Sequence, residues 1–168
     1  MFCIGQYVMY SYSGICRVEA IGTLSFTNDS QKEYYTLRPF YTTTNAKIYV
    51  SVNTSAFMRE VITREEAFLY LEYLKNMEVK VYRPKKPHML KPHYQEVIAV
   101  QDITGYLRLL KEISQKERLV KKSGKKLGEV DLKFYRLAER MLSEELSIVL
   151  KEPLESSKKR LYDIVSGE

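Results

Sequence analysis

The only histidines in the 168 residues are His88 and His93, five positions apart across Pro92 in the run "YRPKKPHMLKPHY". A metal centre needs three or four converging N, S or O donors. No cysteine or acidic cluster lies beside this pair, so other ligands would have to come from elsewhere in the chain. Cys3 and Cys16 are the only cysteines, and neither has a base nearby in sequence to activate it as a nucleophile. Cys16 falls within an alternating strand pattern and reads as a small buried hydrophobe. Two cysteines do not make a disulfide framework, and a reduced, cytoplasmic chain is expected. The seven glycines are scattered. "KSGKKLG" (122–128) has neither the spacing nor the preceding strand of a phosphate-binding loop. Glu65–Glu66 and Glu144–Glu145 have structural explanations, the first at a helix start and the second opposite Arg140. The expectation is a non-enzymatic chain with no cofactor, metal or small-molecule substrate.

Basic residues form two clusters. The first holds Arg83, Lys85, Lys86 and Lys91, with no acid from Tyr82 to Tyr94. The second holds Lys116, Arg118, Lys121, Lys122, Lys125 and Lys126 against Glu117 alone. Such runs are either solvated surface or a rim for phosphates. Tyr82, His88, Met89 and Tyr94 interleave with the first cluster, and aromatic or thioether groups beside cations suit contact with bases or a widened groove. The charge is distributed unevenly. Residues 1–60 carry five Lys or Arg against four Asp or Glu, and residues 61–168 carry 22 against 17, within a net charge of +6. A modest basic excess fits a phosphate-facing surface and fits ordinary solubility equally.

The elements that must position these groups change character near residue 60. "QYVMYSY", "ICRVEAIG", "EYYTLRPF" and "AKIYVSV" are rich in aromatic and β-branched residues and alternate in polarity, with turn material at Gly14, "TNDSQK" and "TTTN". The first two runs read as strands hinged at Gly14. Four or five short strands in sixty residues suggest a small antiparallel barrel or curled sheet, because closure hides sheet edges. Thr63 then predicts a helix N-cap, with Glu65 and Glu66 in the first turn and Ala67, Leu69, Tyr70 and Leu74 at helical spacing as far as Met77. Prolines 84, 87 and 92 predict an extended linker. From Tyr94 onward the chain reads helical. Thr104 is the candidate cap of a helix with Tyr106, Leu109, Leu110 and Ile113 on one face. Leu132, Tyr135, Leu137, Met141, Leu142, Leu146 and Val149 form a wide stripe on the next helix. Pro153 stops that helix, and Ser156 or Ser157 would cap a last one. The fold class is α+β. Residues 1–62 form the β barrel, 63–82 a bridging helix and the start of a linker, and 83–168 a basic linker and an all-α domain. No apolar run approaches the ~20 residues needed to span a bilayer, and "MFCIGQY" lacks the charged and apolar regions of a secretory signal.

These residues together resemble the CarD/CdnL family of bacterial transcription regulators. The opening matches at Phe2, Gly5, Val8, Tyr10, Gly14, Ile15, Val18, Glu19 and Ile21. The family's Tyr-Tyr-x-Leu strand matches at Tyr34, Tyr35 and Leu37. A strand, turn and helix start match at Val50, Asn53, Met58, Arg59, Val61, Ile62, Glu65 and Glu66, and a C-terminal helix at Ala138, Leu142, Glu145 and Leu146. The resemblance implies a Tudor-like small barrel that docks on the RNA polymerase β subunit. It also implies a helical domain that contacts promoter DNA beside the melted region and stabilises the open complex. Strand addition at a sheet edge is a physically sensible docking mode.

This resemblance makes Arg17, Arg38, Lys47 and Tyr49 the candidate polymerase contacts. It makes Arg83, Lys85, Lys86, Met89, Lys91, Tyr94, Lys121, Lys122, Lys125 and Lys126 the candidate DNA contacts. The chain departs from the pattern at Ser13, where the family has His, and at Ser51, where it has Pro. Tyr49 stands where some members present an Arg. Many members wedge a Trp into the minor groove just before the helical domain, and this chain has no Trp. Met89 and Tyr94 are the substitutes in that segment. Tyr94 is the favoured wedge, and its alternative is a place beneath the first helix of the bundle. The rival function is a protein-interaction adaptor that binds polymerase or another protein without touching DNA.

Overall fold

The computed structural model describes residues 1–167. The chain divides into two compact units, Met1–Val61 and a second from Ile62 onward. The first unit is one antiparallel sheet of β1 (Tyr7–Tyr10), β2 (Gly14–Gly22), β3 (Tyr34–Pro39), β4 (Ile48–Ser51) and β5 (Met58–Glu60), in the spatial order β4-β3-β2-β1-β5. One face buries Val8, Cys16, Val18, Tyr35, Leu37 and Val50. Side chains of this size each contribute about 1.5–3 kcal/mol when fully buried.

Two expectations for this unit need correction. The sheet is open and does not close into a barrel: β4 and β5 are its two edges and pair only with β3 and β1. These edges are four and three residues long. Strands this short leave little unpaired backbone, so the sheet limits its edges by length and not by closure. The first hairpin does not hinge at Gly14 alone. Ser11–Ser13 form a 3₁₀ turn, and Gly14 follows at φ 80° as the first residue of β2. That positive φ is open to glycine without steric cost.

Between β2 and β3 the register slips at Glu19: Val18 faces Leu37, but Ala20 faces Thr36. Glu19 is the extra residue of a β-bulge, a device that re-aims a side chain.

The second unit contains α1 (Arg64–Asn76), α2 (Leu90–Val97), α3 (Ile103–Lys122), α4 (Glu129–Leu150) and α5 (Leu154–Ser166). α1 begins with a reciprocal capping box: the Glu66 N–H donates to Thr63 Oγ1 at 3.1 Å and the Thr63 N–H to Glu66 Oε2 at 2.8 Å. Read from sequence as a bridge, α1 instead packs against α3, α4 and α5, burying Ala67, Leu71 and Leu74 and leaving Leu69 exposed.

α2 starts earlier than Tyr94. A 3₁₀ turn at Pro87–Met89 leads into it at Leu90, and Pro92 sits within its first turn. A proline there lacks an N–H that would have had no intrahelical acceptor. Asp102, not Thr104, caps α3. Its Oδ1 accepts from the Gly105 N–H at 2.8 Å and from the Thr104 hydroxyl, also at 2.8 Å. Gly105 is needed for close packing, since a Cβ there would lie 2.6 Å from the Val97 carbonyl oxygen.

On α4 the buried stripe runs through Phe134, Ala138, Met141, Leu142 and Leu146, rotated from the predicted one so that Leu132 is exposed. α5 takes no cap from Ser156 or Ser157. Pro153 holds the cap position, and the buried Ser157 hydroxyl donates to Glu152 Oε1 at 2.7 Å. Among the described residues no helix is long and apolar enough to cross a membrane.

Candidate functional site

The four candidate contacts of the sheet unit share one face. Arg17 on β2 is directly opposite Arg38 on β3, and Thr36 on β3 is opposite Tyr49 on β4. Strand alternation puts these residues on the face away from the Val18–Leu37 core, and Lys47 just before β4 follows the same alternation. Two opposed arginines repel. The bulged Glu19 offsets this, with its Oε1 3.2 Å from Arg38 Nη1 and its Oε2 3.7 Å from Lys47 Nζ. Beside them a cavity of about 590 Å³ is lined by Arg17, Glu19, Leu24, Thr36, Lys47 and Tyr49, among others.

The β4 edge bears the second feature of this face. The Val52 N–H donates inward to the Glu33 carbonyl at 3.0 Å. By alternation, the N–H and C=O groups of Tyr49 and the N–H of Ser51 point away from β3, open to an added strand, while the Ser51 carbonyl accepts from the Thr54 N–H at 2.9 Å. The exposed rings of Tyr49 and Phe26 meet edge to face at 5.0 Å. Sequence reasoning missed both Glu19 and Phe26 in this site. A bulge depends on pairing across the sheet, and Phe26 reaches Tyr49 from a loop with no periodic signal.

The helical unit sorts its candidates by burial. Arg83, Lys85, Lys86, Met89 and Lys91 are exposed, as are Lys121, Lys122, Lys125 and Lys126 in the last turn of α3 and the turn after it. Lys121 shares its charge with Glu117 at 3.0 Å. Tyr94 is different. It is 0% exposed, and its hydroxyl donates to Asp131 Oδ1 at 2.7 Å. Burial first, then that hydrogen bond, push the phenol far above its ordinary pKa. Tyr94 is therefore core, and the wedge reading passes to Met89, which is 40% exposed.

Lys116 is also withdrawn from the basic cluster. Its Nζ lies 2.8 Å from Asp131 Oδ1, while Asp131 Oδ2 accepts from the Gly128 N–H at 3.2 Å. On α4, burial, with Glu139 next in weight, pushes the Tyr135 hydroxyl up to about 12.

A second buried carboxylate fixes the proline-rich segment. Glu112, 1% exposed, accepts the Tyr82 backbone N–H at 3.0 Å, and the same Oε1 lies 3.0 Å from His93 Nε2. The Tyr82 and His93 rings stack at 4.1 Å with 20° between their planes. The segment expected as a linker is thus tied to α2 and α3. His93 is a structural hydrogen-bonding group, and the described residues contain no group of three or more His, Cys, Asp or Glu placed to hold a metal.

This packing also sets where the basic clusters lie. Val97 and Ile98 abut Gly105 near the start of α3, His93 meets Glu112 midway along it, and Tyr94 meets Asp131 at the start of α4. α2 therefore runs antiparallel to α3. Its N-terminal end, with Lys86, Met89 and Lys91, points toward the end of the unit that carries the α3–α4 turn with Lys122, Lys125 and Lys126. Arg83 of the first cluster instead lines a groove along α3 with Arg108, Gln115 and Leu119.

Residues 2–62 match the model of the CarD-like/TRCF RID domain family. No curated protein matches the chain. The matched segment covers the whole sheet and ends just before the Thr63 cap.

Proposed function

We infer that this chain, whose residues 2–62 are a CarD-like/TRCF RID domain, is a non-enzymatic transcription regulator. That domain type implies interaction with RNA polymerase, and the match is the observation that carries the reading. In the finer reading, the outward groups of β4 add to a strand of the polymerase β subunit. Arg17, Arg38, Lys47 and Tyr49 then meet the partner on the adjoining face. Backbone pairing at an edge supplies affinity and the neighbouring side chains supply specificity.

The helical unit contacts promoter DNA through its basic end, with Met89 as the apolar group at the base step, and so modulates open-complex lifetime. Support for this half is the exposure of Met89 within a segment whose Lys85, Lys86 and Lys91 are also exposed. An adaptor without DNA contact is the second reading. It is favoured by the burial of Tyr94 and by the pairing of Lys116 with Asp131.

The primary test is capture of polymerase by residues 1–62 and by residues 63–168. The sheet fragment is expected to retain the β subunit and the helical fragment to lose it; capture by the helical fragment alone would reverse the assignment. In the full chain, Tyr49→Pro removes one outward N–H without touching the ladder to β3, and is expected to weaken polymerase binding about tenfold or more. DNA binding is tested through salt dependence, where each phosphate contact contributes about −0.9 to the log–log slope on duplex DNA. Lys122→Glu with Lys125→Glu and Lys126→Glu is expected to flatten the slope, and no measurable slope in the unaltered chain would select the adaptor. Met89→Ala is expected to shorten open-complex lifetime with no loss of thermal stability.

A further inference from the structure

The helical unit contains a groove of about 750 Å³ that neither polymerase docking nor the basic end of the unit uses in full. Its cationic lining is Lys80 and Arg83 from the extended segment and Arg108 from α3, and no Asp or Glu lines it. Among the described residues none of these three cations makes a hydrogen bond or an ion pair. The buried Glu112 carboxylate uses its Oε1 for the Tyr82 N–H and for His93.

The rest of the wall is different in kind. The Tyr82 and His93 rings, stacked at 4.1 Å, both line the groove, with Gln115 and the apolar Val79, Val81 and Leu119. A surface that only touched duplex phosphates would need neither a cavity nor an aromatic wall. A volume in the range of small-ligand sites, three unneutralised cations, a planar wall and one amide together match a planar heterocycle carrying phosphates.

We propose that this groove is a nucleotide-binding site. The base lies against the Tyr82–His93 wall with its edge toward Gln115, and the phosphates lie on Lys80, Arg83 and Arg108. Guanidinium groups suit phosphate oxygens because they donate in a planar fork. Glu112 acts as a positioning residue by holding both the Tyr82 backbone and the His93 ring. The same chemistry is offered by a free nucleoside polyphosphate and by an unpaired nucleotide of a single strand.

Calorimetric titration of the full chain at physiological salt separates these sources. The ligands are ATP, GTP, inorganic tripolyphosphate and a short oligothymidylate. At least one nucleotide ligand is expected to bind with Kd below about 1 mM, and tripolyphosphate about tenfold or more weakly. Arg83→Gln combined with Arg108→Gln is expected to weaken the nucleotide about tenfold or more, and Tyr82→Leu to weaken it while leaving tripolyphosphate unchanged. Lys133→Gln, on an exposed position of α4 outside the groove lining, is expected to change nothing.

Binding of ATP or GTP identifies a free nucleotide as the source, and binding of the oligothymidylate alone identifies a single strand. Tripolyphosphate binding as tightly as any nucleotide would overturn the proposal, as would the absence of all binding. Binding that survives the arginine variants, in protein with an unchanged circular dichroism spectrum, would also overturn it. Polymerase capture by residues 1–62 is a separate measurement, so neither result depends on the other.

Discussion

The sheet unit keeps the charges of its candidate site on an outward face, whereas the helical unit buries carboxylates in its interior. In the sheet, Arg17, Glu19, Arg38 and Lys47 lie on the face away from the apolar cluster, and the Arg38–Glu19 pair is about half and a quarter exposed. In the helical unit Glu112, Asp131 and Glu145 are nearly inaccessible. They accept from His93 and the Tyr82 N–H, from Tyr94 and Lys116, and from the Ile62 N–H at 2.9 Å. A charge in water is cheap to keep and contributes little to stability. A charge away from water is held only by its partners, and losing one of them costs several kcal/mol. Carboxylates therefore stay at the surface in one unit and hold the packing of the other together.

The strongest test of that contrast is Asp131→Ala. It leaves Lys116 and the Tyr94 hydroxyl without their shared acceptor, and the helical unit is expected to lose about 3–5 kcal/mol in urea denaturation. A loss below about 1 kcal/mol would mean that water reaches these groups and the contrast is not real. Gly105→Ala tests the packing that supports the network. The new methyl meets the Val97 carbonyl, and a loss of about 1–3 kcal/mol is expected by the same measurement.

Alkaline titration is the next test. Tyr94 and Tyr135 have pKa values raised in the folded chain. The unfolded chain therefore loses these protons first, near pH 10. Their contribution is whole below that pH and falls as pH rises through the folded values. Each tyrosine is expected to remove about 1.4 kcal/mol per pH unit from pH 10 up to its folded value, and Tyr94→Phe should reduce the slope of stability against pH.

Thr63→Ala removes one half of the α1 capping box and is expected to cost about 1 kcal/mol. The smallest effect belongs to the sheet. Glu19→Gln is expected to change stability by less than about 1 kcal/mol, while altering polymerase capture because Arg38 and Lys47 lose their shared counter-charge. Unfolding of the sheet unit by this substitution would erase the distinction between the two units.

The sequence by itself determined what depends on neighbours a few residues apart. Alternation located β1 to β4 in outline, the Thr63-x-x-Glu66 pattern located the start of α1, and the order of short motifs pointed to the family whose domain model matches residues 2–62. It also set Arg17, Arg38 and Tyr49 opposite the core positions of their own strands, because a period of two assigns residues to a face; only the pairing of β2, β3 and β4 brought them together. Only the tertiary structure decided which groups are withdrawn from the surface. Tyr94, open in one dimension to a wedge or a core reading, and Lys116, read within a basic cluster, both end on Asp131, 37 and 15 positions along the chain. The rotation of the α4 stripe toward Phe134 and Ala138, the open order of the sheet and the pinning of Tyr82 by Glu112 have the same origin. Helical and strand periods fix which residues share a face, but which face is buried depends on what packs against it. That contact is made by parts of the chain too distant for any local pattern to record.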